Sequence, residues 1–337
     1  MNFADDIKTE KLEWLWPNTF PKGKLCLIAG DPGTGKSLLA LDIISRVTKA
    51  EFWPDDKSFP PRPGNVIILS TEDDMSDTIK PRLQACGADL CKVFLLEAVR
   101  LPSSNGQTTE RSFSLELDIQ TLKAKIEVIG NVQLIVIDPI DEYIGTIDSH
   151  KNADIRGLLG PFVKMIGREK ITVIGIMHFN KGSGRAVDKI SGSKAWVNVS
   201  RATWFLMKDT DNPDIRNFMP QKCNLAPEQK GFAFTIETHP DFGEPVIAWG
   251  GRTEKDIQSE MKAEEDQKST QLSNAKKWLQ AELQDGPVLA TDIIDRGEKI
   301  GFAERTLQRA RNKIKADSKK DGFQGKTYWG FYEEEIK

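Results

Sequence analysis

Along the chain, apolar and polar positions follow two rhythms. The runs KLCLIAG (24–30), NVIILST (65–71) and VFLL (93–96) are short and apolar, whereas SLLALDIISRV and MSDTIKPRLQAC between them repeat their apolar residues at helical spacing. Strand and helix alternating in this way predict a parallel sheet covered by helices. VQLIVID (132–138), ITVIGIM (171–177) and TWFLMK (203–208) extend the series, with a helical stretch around 154–169 between the first two. These runs are almost continuously apolar, the pattern of strands buried on both faces. NFMPQKC, GFAFTIE and PVIAWG follow and read as antiparallel strands closing one edge. The expected fold class is α/β with a mostly parallel sheet.

The pattern changes after residue 253. Residues 254–270 are polar and acidic, with Ile257 and Met261 the large apolar side chains, and read as an acidic linker, in part helical, between a domain at 1–253 and a smaller one at 271–337. In the second domain Leu272, Ala275, Leu279 and Leu283 recur at helical spacing up to the breaker Asp285, Gly286, Pro287. A second helix is expected from Ala290, a turn near Gly301, and a third helix opened by Ala303 and Glu304. On that third helix Leu307, Ala310 and Ile314 share one face, and Arg305, Gln308, Arg309 and Asn312 the opposite one.

Composition narrows the classes. The chain has 337 residues, roughly two domains' worth at about 150 each, and its 39% hydrophobic and 29% charged residues are ordinary globular usage. No apolar run approaches the ~20 residues that cross a bilayer, and the acidic start MNFADDIKTEK is unlike a signal peptide. A cytoplasmic protein without a membrane partner is expected. Cys26, Cys86, Cys91 and Cys223 form no CxxC pair and have no histidine at metal-ligand spacing, so neither a disulfide framework nor a zinc site is signalled. The net charge of −3 argues against a uniformly basic nucleic-acid coat. It hides a polarity, because residues 254–268 carry six acids against three lysines, and residues 303–326 carry eight Lys/Arg against three acids.

The most specific motif joins the first apolar run to the first helix. Gly30, Asp31, Pro32, Gly33, Thr34, Gly35, Lys36 and Ser37, with Leu38 beginning the helix, match GxxxxGK[ST] in the strand-to-helix setting of a phosphate-binding loop. Its glycines let backbone N–H groups point at phosphate oxygens, and the helix N-terminus adds a favourable dipole. Lys36 can then reach the terminal phosphates and the Ser37 hydroxyl can ligate Mg²⁺. Asp138 ends LIVID at the sheet edge where α/β folds bind ligands, and would hold a water of the Mg²⁺ shell. Glu72, after VIILST, would share that edge and orient and deprotonate the attacking water, although Asp73 and Asp74 compete for the role. His178, after ITVIGIM, is placed to sense a γ-phosphate; a purely structural histidine is the alternative.

Together WLWPNTFPKGKLCLIAGDPGTGKS, VIILSTEDD, LIVIDPIDEYIG, GIMHFNKGSG and SGSKAWVNVSRATWFLMK resemble the RecA-like ATPase core of the RepA family of hexameric replicative helicases, and related ATPases of phages and mobile elements. The resemblance covers about residues 10–250. It implies ATP with Mg²⁺ as cofactors, and a homo-oligomeric ring, usually of six subunits, with ATP between neighbours. By position it makes Glu72 the catalytic glutamate, Asp138 the Mg²⁺-site aspartate and His178 the sensor. Arg201 becomes the arginine that reaches the adjacent subunit's site, with Lys222 a second candidate. It also turns the glycine-rich, basic segment 180–196, with Lys181, Arg185, Lys189 and Lys194, toward a central channel and single-stranded DNA. The plasmid helicases of this family end near the core, so residues 271–337 are an addition and unwinding does not simply carry over.

The C-terminal pattern resembles a winged helix, a helix-turn-helix with a small β-hairpin. Arg305, Arg309 and Asn312 would face DNA, and Lys319, Lys320 and Lys326 its phosphates; docking of a protein, such as a replication protein, is the alternative. Two functions stay open: a DNA-dependent ATPase working as a helicase, and a nucleotide-switched DNA-binding or loader protein without processive unwinding. A phosphotransferase of the circadian-clock ATPase type shares the core but lacks an identifiable acceptor.

Overall fold

A computed structural model describes residues 3, 8–56, 62–96, 98–102, 108–145, 152–180, 194–321 and 325–332. The chain divides into two compact units, Met1–Glu260 and Met261–Lys337.

The first unit opens with a short hairpin, β1 (Trp14–Trp16) and β2 (Phe20–Pro21), and then β3 (Leu25–Gly30), α1 (Lys36–Lys49), β4 (Asn65–Ser70), α2 (Lys80–Ala85) and β5 (Val93–Leu95). A second hairpin, β6 (Ala98–Pro102) and β7 (Thr108–Ser112), leads to α3 (Ile119–Ile129), β8 (Val132–Asp138), α4 (Asn152–Glu169), β9 (Thr172–His178), α5 (Lys194–Val199) and β10 (Ala202–Lys208). Three strands follow, β11 (Ile215–Cys223), β12 (Gly231–Thr238) and β13 (Pro245–Thr253).

Nine strands form one sheet in the order β13-β12-β11-β10-β3-β9-β8-β4-β5. The contacts from β10 to β5 are all parallel, and those joining β10 to β11, β11 to β12 and β12 to β13 are antiparallel. This is the α/β architecture with a large, mostly parallel sheet expected of a RecA-like core. Every residue of β3 is buried, which accounts for its unbroken apolar run. On one face Ile28, Ile68, Val136 and Ile176 pack against Leu39, Ile43 and Val47 of α1. The first hairpin completes that core: Trp16 stacks on Trp53 at 4.8 Å and is fully buried with Phe20. Each buried aromatic here contributes a large apolar area, so WLWPNTF helps to build the core.

The stretch 254–270, read as a partly helical linker, is helical from Ile257 onward, in a single helix α6 that runs on to Glu282. Asp256 caps it, its Oδ1 accepting from the Gln258 and Ser259 N–H groups at 2.9 Å each. Glu264 pairs with Lys268 one turn on, and no glycine or proline occurs between Arg252 and Gln284, so acidity alone does not break the helix. Its start is tied to the first unit by Lys255, which bonds Glu260 at 2.8 Å and Asp211 at 2.6 Å.

The second unit continues with β14 (Val288–Leu289), α7 (Ala290–Lys299), α8 (Glu304–Lys313), β15 (Asp317–Lys320) and β16 (Thr327–Gly330). Its three strands pair antiparallel in the order β14-β16-β15. Ala275, Leu279, Leu283, Ile293, Leu307, Ala310 and Trp329 form its core. No helix among the described residues is long and apolar enough to cross a membrane.

Candidate functional site

The ends of β3, β4, β8 and β9 converge at one edge of the sheet, and the side chains that end them form a cleft. Gly30 closes β3 where β10 passes so near that a Cβ would collide with the Leu206 carbonyl oxygen. Gly33 and Gly35 take φ of +71° and +97°, left-handed values that curl the loop. Gly35 is the N-cap of α1. The Thr34 hydroxyl and the Lys36 ammonium both donate to the Asp31 carbonyl at 2.9 Å, bracing the loop on itself.

Lys36 is 4% exposed. Burial pushes its pKa down, while Asp138, Glu72 and Asp31 push it up. A lysine desolvated among carboxylates is tethered where an anionic ligand would sit. Asp138 is equally buried, hydrogen-bonded with Ser37, and burial raises its carboxyl to about 6. Its Oδ1 accepts no hydrogen bond. A buried, unpartnered carboxylate oxygen beside a hydroxyl is the hard-oxygen donor set that suits Mg²⁺ in company with phosphate oxygens; no group of three or more His, Cys, Asp or Glu residues poised for a metal occurs among the described residues.

Asp138 makes the fold pH-sensitive in a defined direction. Between about pH 4 and 6 the folded chain keeps a proton that the unfolded chain has released, so this group's contribution to stability falls as pH rises through that window. At about 1.4 kcal/mol per pKa unit the loss is on the order of 3 kcal/mol. Asp138→Asn is therefore expected to melt higher than the wild type at pH 7, with a gap that closes toward pH 4. Thermal denaturation at the two pH values checks this, and a variant no more stable at pH 7 contradicts it.

Glu72 and His178 meet across the cleft: His178 Nε2 lies 2.8 Å from Glu72 Oε1. The sequence reading placed both at this edge, but not in contact. Thr71, next to Glu72, donates to Glu142. The cleft has a volume of about 580 Å³, and Arg82, Ile236 and Pro245 also line it. Arg82 lies 3.5 Å from Asp73 and 3.8 Å from Glu244. Sequence reasoning missed these three. Arg82 carried one signal, its place on the amphipathic run after β4; Ile236 and Pro245 come from the antiparallel edge, and nothing local marks them.

Arg201 and Lys222 lie elsewhere. Arg201 precedes β10, and its N–H bonds the Leu25 carbonyl at the start of β3. Leu206, opposite Gly30, is five residues on, so Arg201 stands roughly 16 Å along the strands from its own phosphate loop. Lys222 pairs in register with Thr203 and donates to the Val197 and Ser200 carbonyls at 2.6 and 2.9 Å. Burial and the Arg201 charge lower its pKa. Lys181, Arg185 and Lys189 lie outside the described residues, as does the side chain of Lys194, whose backbone opens α5.

In the second unit Arg305, Arg309 and Asn312 are exposed on α8, opposite buried Leu307 and Ala310. Lys319 and Lys320 are exposed on β15, Lys319 with its ammonium 4.1 Å from the Tyr332 ring, and Lys326 is exposed before β16. Arg311 is held inward over the Trp329 ring at 5.0 Å.

A family model described as an AAA domain matches residues 1–184. A crystal structure of a KaiC-like protein from the hyperthermophilic archaeon Pyrococcus horikoshii aligns with a TM-score of 0.46 at 16% identity, covering 68% of this chain and 91% of that one. No curated protein matches the chain.

Proposed function

The chain belongs to the AAA-domain family, and from that premise we propose that this P-loop ATPase assembles head to tail into a ring, binds ATP between neighbours and uses hydrolysis to move along DNA as a helicase. The observation that carries the reading is the split of charge across the sheet. Lys36, Ser37, Glu72, Asp138 and His178 gather at the C-terminal strand edge, while Arg201 stands at the opposite edge, beyond reach of its own loop. An arginine so placed serves a nucleotide only on another copy, and a heterologous contact that closes on itself gives a ring.

In this mechanism the N–H groups of the loop and Lys36 cradle the phosphates. Ser37 and Asp138 would hold Mg²⁺, whose chemistry is to neutralise charge on the phosphate oxygens. Glu72 orients the attacking water and accepts its proton, and His178 donates to the terminal phosphate. Arg201 of one subunit stabilises the charge that develops in its neighbour's site. Arg82, Ile236 and Pro245, which also line the cleft, are where the base would rest.

The second unit is read as a winged helix: two helices, α7 and α8, joined by a turn at Gly301, with a three-stranded sheet beside them. Its exposed Arg305 and Arg309 favour DNA phosphates or base edges as the target. Replacing both with alanine is expected to weaken duplex binding about tenfold to hundredfold and to reduce the slope of log affinity against log salt by about 2. Fluorescence anisotropy at several salt concentrations measures both, and unchanged affinity and slope would remove this helix from the DNA interface.

The motor reading is tested by ATP hydrolysis with and without single-stranded DNA at two salt concentrations, alongside mass by light scattering. Salt-sensitive stimulation in a ring-sized particle is expected. Slow, DNA-indifferent turnover by a monomer or dimer would favour the nucleotide-switched loader instead.

A further inference from the structure

The last turn of α8 sets an arginine held inward beside an asparagine that faces outward, and the cap that ends the helix fixes both. The Ala316 N–H bonds the Arg311 carbonyl at 3.1 Å and the Lys315 N–H bonds the Asn312 carbonyl at 3.3 Å, with Lys315 in the left-handed region at φ +57°. This is the Schellman arrangement, and it ties down the backbone at both positions. The Arg311 side chain is held as well. Its guanidinium lies over the Trp329 ring at 5.0 Å. Trp329 is 3% exposed and is set in β16 between Val288 on one side and Ser318 on the other. A planar guanidinium stacked on a buried indole is pre-organised for whatever its remaining N–H groups meet.

What they meet is Asn312: Arg311 Nη2 donates to Asn312 Oδ1 at 3.0 Å. Guanidinium nitrogens only donate, so the amide atom facing Arg311 must be the oxygen. Asn312 is exposed, and among the described residues its Nδ2 has no hydrogen-bond partner. An unconstrained asparagine brings Oδ1 and Nδ2 together to a base edge and so pairs with the N6 donor and N7 acceptor of adenine. Turned by Arg311, Asn312 offers Nδ2 alone. Its two N–H donors match guanine, whose O6 and N7 both accept. On adenine they meet one acceptor beside a competing donor.

We infer that Arg311 is a positioning residue for base recognition: by holding Asn312 Oδ1 it makes Asn312 a reader through its donors alone, with guanine preferred over adenine at the base pair it meets in the major groove of duplex DNA. The inference rests on the reading of the second unit as a DNA-binding winged helix. It divides the arginines of one helix by role. Arg305 and Arg309 meet DNA directly, whereas Arg311 acts through its neighbour and leaves the phosphates untouched.

The test selects bound sequences from a randomised duplex pool with the full chain, and measures affinity against salt. It compares the wild type with Asn312→Ala, Arg311→Met and Arg311→Lys, each checked for folding by thermal denaturation. Asn312→Ala is expected to lose preference at one base pair, which identifies its contact, and the wild type to favour guanine over adenine there about threefold to tenfold. Arg311→Met removes the donor and frees the amide to turn. It is expected to bring that ratio within about twofold of unity or to reverse it toward adenine, with the slope of log affinity against log salt unchanged. Arg311→Lys, which still donates to Oδ1, is expected to keep the guanine preference. A wild-type preference for adenine, or a guanine preference retained in Arg311→Met while all sequences weaken alike, would overturn the inference. A salt slope lower by about 1 in Arg311→Met would do the same, because Arg311 would then be a phosphate ligand. If Asn312→Ala alters no position, the inference fails while duplex binding through Arg305 and Arg309 stands; a wild type that binds no duplex fails the DNA reading itself.

Discussion

Lys36→Ala is expected to reduce ATP hydrolysis by at least about 10³-fold. The side chain is buried beside Asp138, Glu72 and Asp31 and is braced by the Asp31 carbonyl. Its removal takes away the positive charge facing the terminal phosphates and leaves the buried Asp138 carboxylate without its counter-charge, which weakens nucleotide binding as well as turnover. The fold should survive, because α1 keeps Leu39, Ile43 and Val47 in the core and alanine is the best helix former. Phosphate release and nucleotide binding, each measured on protein checked by circular dichroism, decide it. Turnover within tenfold of wild type would mean that the chemistry lies elsewhere.

Arg201→Ala is expected to lower turnover by about 10³ to 10⁵ while leaving nucleotide affinity nearly intact. The separation of binding from chemistry follows from position. The Arg201 N–H bonds the Leu25 carbonyl at the strand edge opposite the phosphate loop, so loss of the side chain leaves its own subunit's cradle unaltered. An arginine finger acts on charge that develops during transfer, and its removal is felt in kcat. Titration with a fluorescent nucleotide together with steady-state kinetics separates the two quantities. Wild-type turnover in the variant would sink the trans assignment, and Lys222, tied to the Val197 and Ser200 carbonyls, would be next to examine.

Much of this was legible in the sequence, for a physical reason. Strands buried on both faces must be continuously apolar, and VQLIVID and ITVIGIM leave little freedom of interpretation; the phosphate loop needs glycine where φ is positive, as at Gly33 and Gly35. Residues at strand ends inherit a common edge from the parallel topology, which is why Glu72, Asp138 and His178 could be grouped without coordinates. Contacts across that edge could not. Whether Glu72 meets His178 depends on side-chain direction, and Ile236 and Pro245 enter the cleft only because β12 and β13 pair antiparallel at the sheet's far side. The extent of α6 over 254–270 was not legible because polar, acidic composition suits a linker and a solvated helix equally. The cap at Asp256 and the Lys255 ion pairs decide between them, and the pairing of Lys255 with Asp211 is long-range.

The central claim is that each active site joins Lys36 of one subunit to Arg201 of its neighbour, and a mixing experiment tests it most directly. Lys36→Ala and Arg201→Ala proteins, each inactive alone, are combined, allowed to exchange subunits and assayed for phosphate release. A shared site predicts that activity returns, because a subunit with intact Lys36 can sit beside one with intact Arg201. A mixture as inactive as its parents, under conditions where subunit exchange is confirmed and the wild type turns over, would contradict the account.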